Sequence, residues 1–214
     1  MTVVQTHQER PQLLHLPTTA ALFQQISHLH VGAAVLDIPI GLPQTELRRC
    51  DLEARRLLGR KAPTVFLTPP RAVLAATSQQ TASRIWRRLA GRGCPAQTFA
   101  ILDRIREVDL ELQVRPRPAV HEGHPELVFQ RLAGGATLAS KHTQAGRAMR
   151  TELLQAQLPE LTSWLGRYPR LVEDVLDACA CWLVAQRVIA GSAQPVPADV
   201  VELDEWTSPM VIWY

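Results

Sequence analysis

Val31-Gly32-Ala33-Ala34-Val35-Leu36-Asp37-Ile38-Pro39-Ile40-Gly41-Leu42-Pro43 is the stretch on which the fold turns. Val31 to Ile38 is apolar on both faces, as a strand in the middle of a sheet is. It closes at Asp37-Ile38-Pro39, because a proline donates nothing to a neighbouring strand. Asp37 therefore stands at the C-terminal end of the most apolar strand in the chain.

Towards the N-terminus, Thr2 to Thr6 alternates as a strand does. Gln12 to Leu16 is a second strand, with Glu9-Arg10-Pro11 as the turn between them. Thr18 or Thr19 caps a helix through Ala21, Leu22 and Ile26. Towards the C-terminus, Glu46 to Leu58 is a charged helix that Gly59 ends. Pro63 to Pro70 is a loop. Helices follow over about Gln79 to Ala90 and Pro95 to Leu112, then a strand from Ala119 to Glu122. Pro125 opens a helix that stops at Gly134-Gly135. Thr143 to Gln157 is helical, Leu171 to Ala190 is a long buried helix, and Met210 to Tyr214 is a last strand. The expected fold is α/β, a single domain over 1–214 with a helical insertion at about 44–112.

The 214 residues, 46% of them hydrophobic, suffice for a core without staples. No run of about 18 uncharged apolar residues exists, so no membrane helix is expected. The start lacks a basic region followed by an apolar core. The four cysteines have no zinc spacing and are expected as reduced, buried thiols in a cytoplasmic protein. The net charge of +3 hides an asymmetry. Residues 44–106 hold 13 basic and 4 acidic side chains, whereas 107–214 hold 9 and 14. A basic segment beside an acidic one points to polyanions. A solvated arginine-rich helix face explains it too, and composition alone favours that. No glycine-rich phosphate loop, GxSxG or HExxH is present, which removes P-loop, dinucleotide, serine-hydrolase and zincin chemistry.

What remains is a set of carboxylates. Glu122 and Glu126 flank His124-Pro125 after a strand. Asp174 and Asp177, three apart, share one face of an otherwise apolar helix. Acids at a helix N-terminus complement its dipole, which explains Glu173 and Asp174 and explains Asp177 less well. The other reading gathers Asp37, a glutamate and Asp177 around Mg²⁺ or Mn²⁺, cations that carboxylates suit. Spacing leaves the two readings even. His121 and His124 are candidate ligands or proton carriers, His124 the better placed between two glutamates. His7, His15, His28 and His30 read as surface residues.

At these residues the sequence resembles a family, the predicted RNase H-like nucleases. The resemblance runs through Asp37-Ile38-Pro39-Ile40-Gly41-Leu42-Pro43, Arg49-Cys50-Asp51 with Glu53-Ala54-Arg55, and Val65-Phe66 with Pro69-Pro70-Arg71. It continues through Ile105 to Asp109, Glu122 with His124-Pro125-Glu126, Lys141, Gly146-Arg147, and Asp174 with Asp177-Ala178. It spans about residues 31 to 214. It implies an RNase H-like mixed sheet flanked by helices, and a nuclease dependent on Mg²⁺ or Mn²⁺ that acts on nucleic acid. It implies Asp37, Glu122 and Asp177 as catalytic acids, with Asp174 as a further metal ligand. Arg49, Arg55, His124, Lys141 and Arg147 are the implied substrate contacts. Members usually begin with a strand carrying an Asp, then glycines and a Trp. Here Met1 to Thr6 matches the second strand, so the first strand and its acid are missing from the sequence. Three explanations stand open: a start upstream of Met1, a catalytically inert nucleic-acid-binding relative, or a strand supplied by a partner chain. Trp206, Trp213 and Tyr214 would form a homodimer interface or pack on the sheet.

Overall fold

A hairpin opens the chain in the computed structural model, which describes residues 1–7, 10–114 and 119–214. β1 (Thr2–His7) pairs antiparallel with β2 (Arg10–His15), Val4 opposite Leu13 and Gln5 opposite Gln12. Of the expected turn, Glu9 lies outside the described residues, and Arg10 and Pro11 already belong to β2. Thr18 is the cap: its Oγ1 accepts a hydrogen bond from the Ala21 amide at 3.1 Å, and α1 (Thr19–Leu29) follows. β3 (Ala34–Leu36) is shorter than the apolar run around it, and its residues are half-buried. That corrects the expectation of a strand buried on both faces. Gly32 brings no side chain to pack, and Pro39 brings no amide hydrogen.

Next come α2 (Arg49–Leu58), closed by Gly59, and two turns of 3₁₀ helix at Gly59–Thr64 and Arg71–Ala75. α3 (Gln79–Ala90) starts where Ser78 Oγ accepts from the Thr81 amide at 3.2 Å. The helix expected over Pro95 to Leu112 is two, α4 (Ala96–Ala100) and α5 (Leu102–Val114), because the chain leaves helical geometry at Ile101. β4 (Val120–Gly123) and α6 (Pro125–Leu132) follow as expected, with Pro125 in the first helical turn. α7 (Gln144–Gln155), the unforeseen α8 (Leu161–Arg167) and α9 (Val172–Ile189) complete the helices among the described residues. The C-terminal segment holds four two-residue strands: β5 (Pro195–Val196), β6 (Glu202–Leu203), β7 (Pro209–Met210) and β8 (Ile212–Trp213). The last strand expected is thus divided between β7 and β8.

The protein is mixed α/β, and its contacts gather into two compact units. The first comprises Met1–Asp37, Gly123–Ala193 and Tyr214. Its centre is α9, against which β1, β3, α6, α7 and α8 all pack. A helix with neighbours on so many sides must be apolar around most of its surface. Val175, Leu176, Cys179, Ala180, Leu183 and Val184 are accordingly buried. Leu127, Phe129, Leu154, Leu158 and Leu161 are also buried in this unit.

The second unit comprises Ile38–Glu122 and Gln194–Trp213. Here β4, β8 and β5 lie side by side in that order, with Val196 opposite Ile212, and α2 packs on β5 and β8. The helical span expected at about 44–112 falls within it. Its core holds Leu42, Val73, Ala82, Trp86, Leu102 and Ile105. Gly41 is required: its φ is +75°, and a Cβ there would come within 2.9 Å of the Pro209 carbonyl. Trp206 is exposed with the Arg71 guanidinium 3.4 Å over its ring. Trp213 meets His121 edge-on at 5.9 Å. Tyr214, in the first unit, stands 5.7 Å from the Arg131 guanidinium. The four cysteines are free and buried, as expected. No helix among the described residues is long and apolar enough to cross a membrane.

Candidate functional site

Two centres that contain sequence-selected carboxylates, one in each unit, differ in how far they are satisfied; a third, in the second unit, pairs Arg71 with Asp109, Asp204 and Glu205. In the first unit Asp37 follows β3, Glu126 lies in the first turn of α6, and Asp177 lies on α9. Lys141 sits in the turn before α7 and donates from Nζ to Asp177 Oδ2 at 2.7 Å. Asp177 Oδ1 is buried and has no hydrogen-bond partner. Arg150, wholly buried on α7, holds both oxygens of Glu126 at 2.6 and 2.8 Å.

The turn that carries Lys141 is built rather than loose. Arg150 also donates to the Ala139 carbonyl at 3.0 Å. Thr143 caps α7, accepting from the Gly146 amide at 3.0 Å and donating to the Ser140 carbonyl at 2.7 Å. A Cβ on Gly146 would lie 1.9 Å from that same Ser140 oxygen, so only glycine lets the turn lie on the helix. One arginine therefore fixes both Glu126 and the turn bearing Lys141.

The electrostatics follow from this crowding. Burial raises the Asp177 carboxyl, against the pull of Lys141. Burial works against the Lys141 charge, but Asp177 first, then Asp37 and Glu126, outweigh it and raise the ammonium. The Asp37 carboxyl is pushed up to about 7 by the protein packed around it and then by the Asp177 charge. Its side chain is nonetheless exposed. Water tempers the first cause, so the neighbouring like charge is the firmer reason for the upward shift.

The second unit holds Glu122. Arg48 donates to its Oε2 at 2.7 Å and its Oε1 at 2.9 Å, and the Ile40 amide donates to Oε2 at 2.7 Å. Arg48 also binds Asp51 Oδ1 at 2.5 Å, while Asp51 Oδ2 accepts from the Thr68 amide at 2.7 Å. All three side chains are buried. Burial raises the Glu122 carboxyl, and Arg48 opposes that shift. Every carboxylate oxygen here has a partner, which is what a structural ion network requires.

The structure thus brings Asp37, Asp177 and Lys141 together and places Glu122 in the other unit. Asp174 is exposed one turn before Asp177. His124 stands at the N-terminus of α6, and its charge helps hold the Asp177 carboxyl down. Arg147 donates to the His142 carbonyl at 3.1 Å and to Glu173 at 3.3 Å. In the second unit, Arg49 bridges Glu53 at 2.6 Å and Asp199 at 2.9 Å, and Arg55 donates to the Val65 carbonyl at 2.7 Å. His121 is half-buried, and burial lowers its pKa. His15, His28 and His30 are exposed, as expected. Sequence reasoning missed the roles of Glu126, Arg150 and Arg48. Glu126 had a signal in its place beside His124. The two arginines had none, since nothing in a linear sequence marks one arginine among many as buried.

Among the described residues, no three His, Cys, Asp or Glu side chains form a group that could hold a metal ion. The test for a cation is therefore the Asp37–Asp177 pair. Hard oxygen donors, one of them a buried atom without a partner, suit Mg²⁺, which takes one or two carboxylates and completes its shell with water and phosphate. The chemistry of these two donors suits such an ion, and Lys141 supplies the positive charge beside Asp177.

One family, described as Protein of unknown function (DUF429), matches residues 1–202. No curated protein and no solved structure matches.

Proposed function

The chain belongs to the DUF429 family, and from that premise we propose that it is a nuclease of RNase H-like type, hydrolysing phosphodiester bonds with Mg²⁺ or Mn²⁺ at Asp37 and Asp177. The observation that carries this is the carboxylate pair itself: two like charges, one with a buried oxygen left unpartnered, kept close in a folded protein. Such an arrangement costs free energy and persists where it binds something positive. The resemblance of the Asp37 to Pro43 segment and of Asp174 with Asp177-Ala178 to RNase H-like nucleases adds support.

The cation, when bound, supplies Lewis-acid polarisation of a phosphodiester and favours ionised water. The residues of the chain do the rest. Asp177 offers Oδ1 as a donor while its position on α9 keeps it fixed. Asp37, exposed and raised by burial and by the Asp177 charge while no cation is bound, would give up its proton when one binds and offer its oxygens beside Asp177. Lys141, released from Asp177, places an ammonium where phosphate charge would lie. Glu126, held by Arg150, sets the local field without a free oxygen lobe of its own towards Arg150. Glu122 and Glu126 are each held by a buried arginine, and Glu126 is the third acid of this proposal because it lies in the same unit as Asp37 and Asp177 and its charge acts on both.

The test is cleavage of single-stranded and branched nucleic acid with Mn²⁺, beside Mn²⁺ binding by calorimetry. Asp37→Asn and Asp177→Asn each abolish cleavage while leaving the circular dichroism of the folded chain unchanged. Cleavage retained in both variants sinks the assignment. A second reading, an inert nucleic-acid-binding relative, is favoured by the Lys141–Asp177 ion pair, which already compensates one carboxylate. It predicts salt-sensitive binding without turnover and no Mn²⁺ uptake.

A further inference from the structure

From Ala54 to Leu102 the chain has no Asp or Glu, yet that stretch holds eight arginines and one lysine. α3 lies inside it and carries no acid. Ala82 and Trp86 face the core of the second unit, with Ile85 packed against that core. The opposite side of the helix presents Arg84, Arg87 and Arg88, all exposed, and the exposed Arg92 follows just past the Gly91 cap. Residues three and four apart on a helix stand about 5–6 Å apart, so these three form one stripe.

Of the other surface arginines of this unit, Arg56 and Arg60 are likewise exposed without an acidic partner, but three differ. Arg49 is paired with Glu53 and Asp199, Arg104 with Glu107, and Arg106 with Asp103. Among the described residues, none of Arg84, Arg87, Arg88 or Arg92 has an acidic partner. The helix dipole favours cations in the last turn, which accounts for Arg87 and Arg88. It does not account for Arg84, nor for the loss of every acid over so long a stretch.

We propose that the outer face of α3, formed by Arg84, Arg87 and Arg88 with Arg92 beyond its end, docks the phosphate backbone of a nucleic acid. The proposal rests on the nucleic-acid reading above and assigns it a surface remote in kind from the carboxylates. Charge complementarity selects an anionic partner, and the residue type narrows it. Guanidinium groups match phosphate oxygens two at a time, which ammonium groups do not. An anionic membrane fits less well. A helix that lies in a bilayer surface needs an apolar face to insert, and the apolar face of α3 is already buried in its own core. Contacts of this kind go to phosphates, so they position the chain without reading base sequence.

The experiment is fluorescence anisotropy with a labelled duplex and a labelled single strand, over salt from 50 to 200 mM. The full chain is compared with Arg84→Gln/Arg87→Gln/Arg88→Gln and with Arg104→Gln, whose arginine is paired. An unchanged circular dichroism spectrum and urea midpoint report that the triple variant remains folded. The expected result is binding by the full chain and by Arg104→Gln. The triple variant binds more weakly at 50 mM salt, and its plot of log affinity against log salt is shallower by about three for duplex. Three phosphate contacts correspond to roughly a 40-fold fall in affinity across that salt range. Binding by the full chain that the triple substitution leaves unchanged overturns the α3 surface and spares the nucleic-acid reading. No binding by the full chain overturns both. Binding to phosphatidylserine vesicles in place of nucleic acid overturns the choice of partner.

Discussion

The Arg48 centre of the second unit and the Lys141 centre of the first contain the same kinds of group and reach opposite states. Around Arg48 two carboxylates are buried, and six donor contacts from the arginine and the backbone satisfy them. Around Lys141 the ammonium is bonded to Asp177 alone and acts on Asp37 only through its charge, one Asp177 oxygen stays unpartnered, and Asp37 remains open to water. A planar guanidinium can serve two carboxylates at once, whereas an ammonium is a point charge on a flexible stem. The first arrangement is closed and the second can exchange its cation. Burial alone therefore does not identify a functional acid. Glu122 is the more buried of the two sequence-selected acids Glu122 and Asp177, and it is also the more completely bound.

The largest test of that contrast is Arg48→Met. It strands Glu122 and Asp51 without their cation, and a loss of about 3–5 kcal/mol is expected in urea denaturation. A loss below about 1 kcal/mol would show that the network does not hold the second unit together. Gly146→Ala comes next. The new methyl must push the Ser140 carbonyl away, and the expected destabilisation is about 1–3 kcal/mol. It should also strengthen Mn²⁺ binding, since the displaced turn carries Lys141, the cation that Mn²⁺ must replace at Asp177. Unchanged stability would mean that the turn is softer than its contacts imply.

Lys141→Met separates the two centres more finely. The pair is partly open to water, so about 1 kcal/mol of stability is expected to be lost near neutral pH. The loss should vanish at low pH as Asp177 takes a proton, because its folded carboxyl is raised. Persistence of the deficit at low pH would assign it to lost packing of the lysine stem instead. The smallest effect belongs to Asp37→Asn. Between the usual value of 3.8 and about 7, the unfolded chain has lost this proton while the folded chain keeps it. Folding therefore weakens as pH rises through that window. The Asn variant should show a flatter profile between pH 5 and 8. Identical slopes in the two proteins would show that Asp37 is not raised.

Much of the architecture was legible before any coordinates. Helix ends were clear where the chemistry of a terminus is local: Thr18, Gly59 and Pro125 act on amides or φ angles within their own turn. Strands were less legible. Val31 to Ile38 has the composition of a buried strand, yet only Ala34–Leu36 is one, since strand length depends on which neighbour is available to pair. α8 escaped notice because seven residues carry too little periodicity to rise above a loop.

The site divides along the same line. Sequence by itself determined which residues can do chemistry: Asp37 at a strand end, Asp177 on the inner helix, Lys141, and an arginine-rich stretch without acids. Only the tertiary structure decided their company. It sent Glu122 to Arg48, brought Glu126 and Lys141 to Asp177, and buried Arg150 between Glu126 and the Ala139 carbonyl. The reason is range. Capping and helix periodicity act within a few residues, whereas an ion pair is selected by what desolvation demands of every charge left inside the fold, wherever in the chain its partner lies.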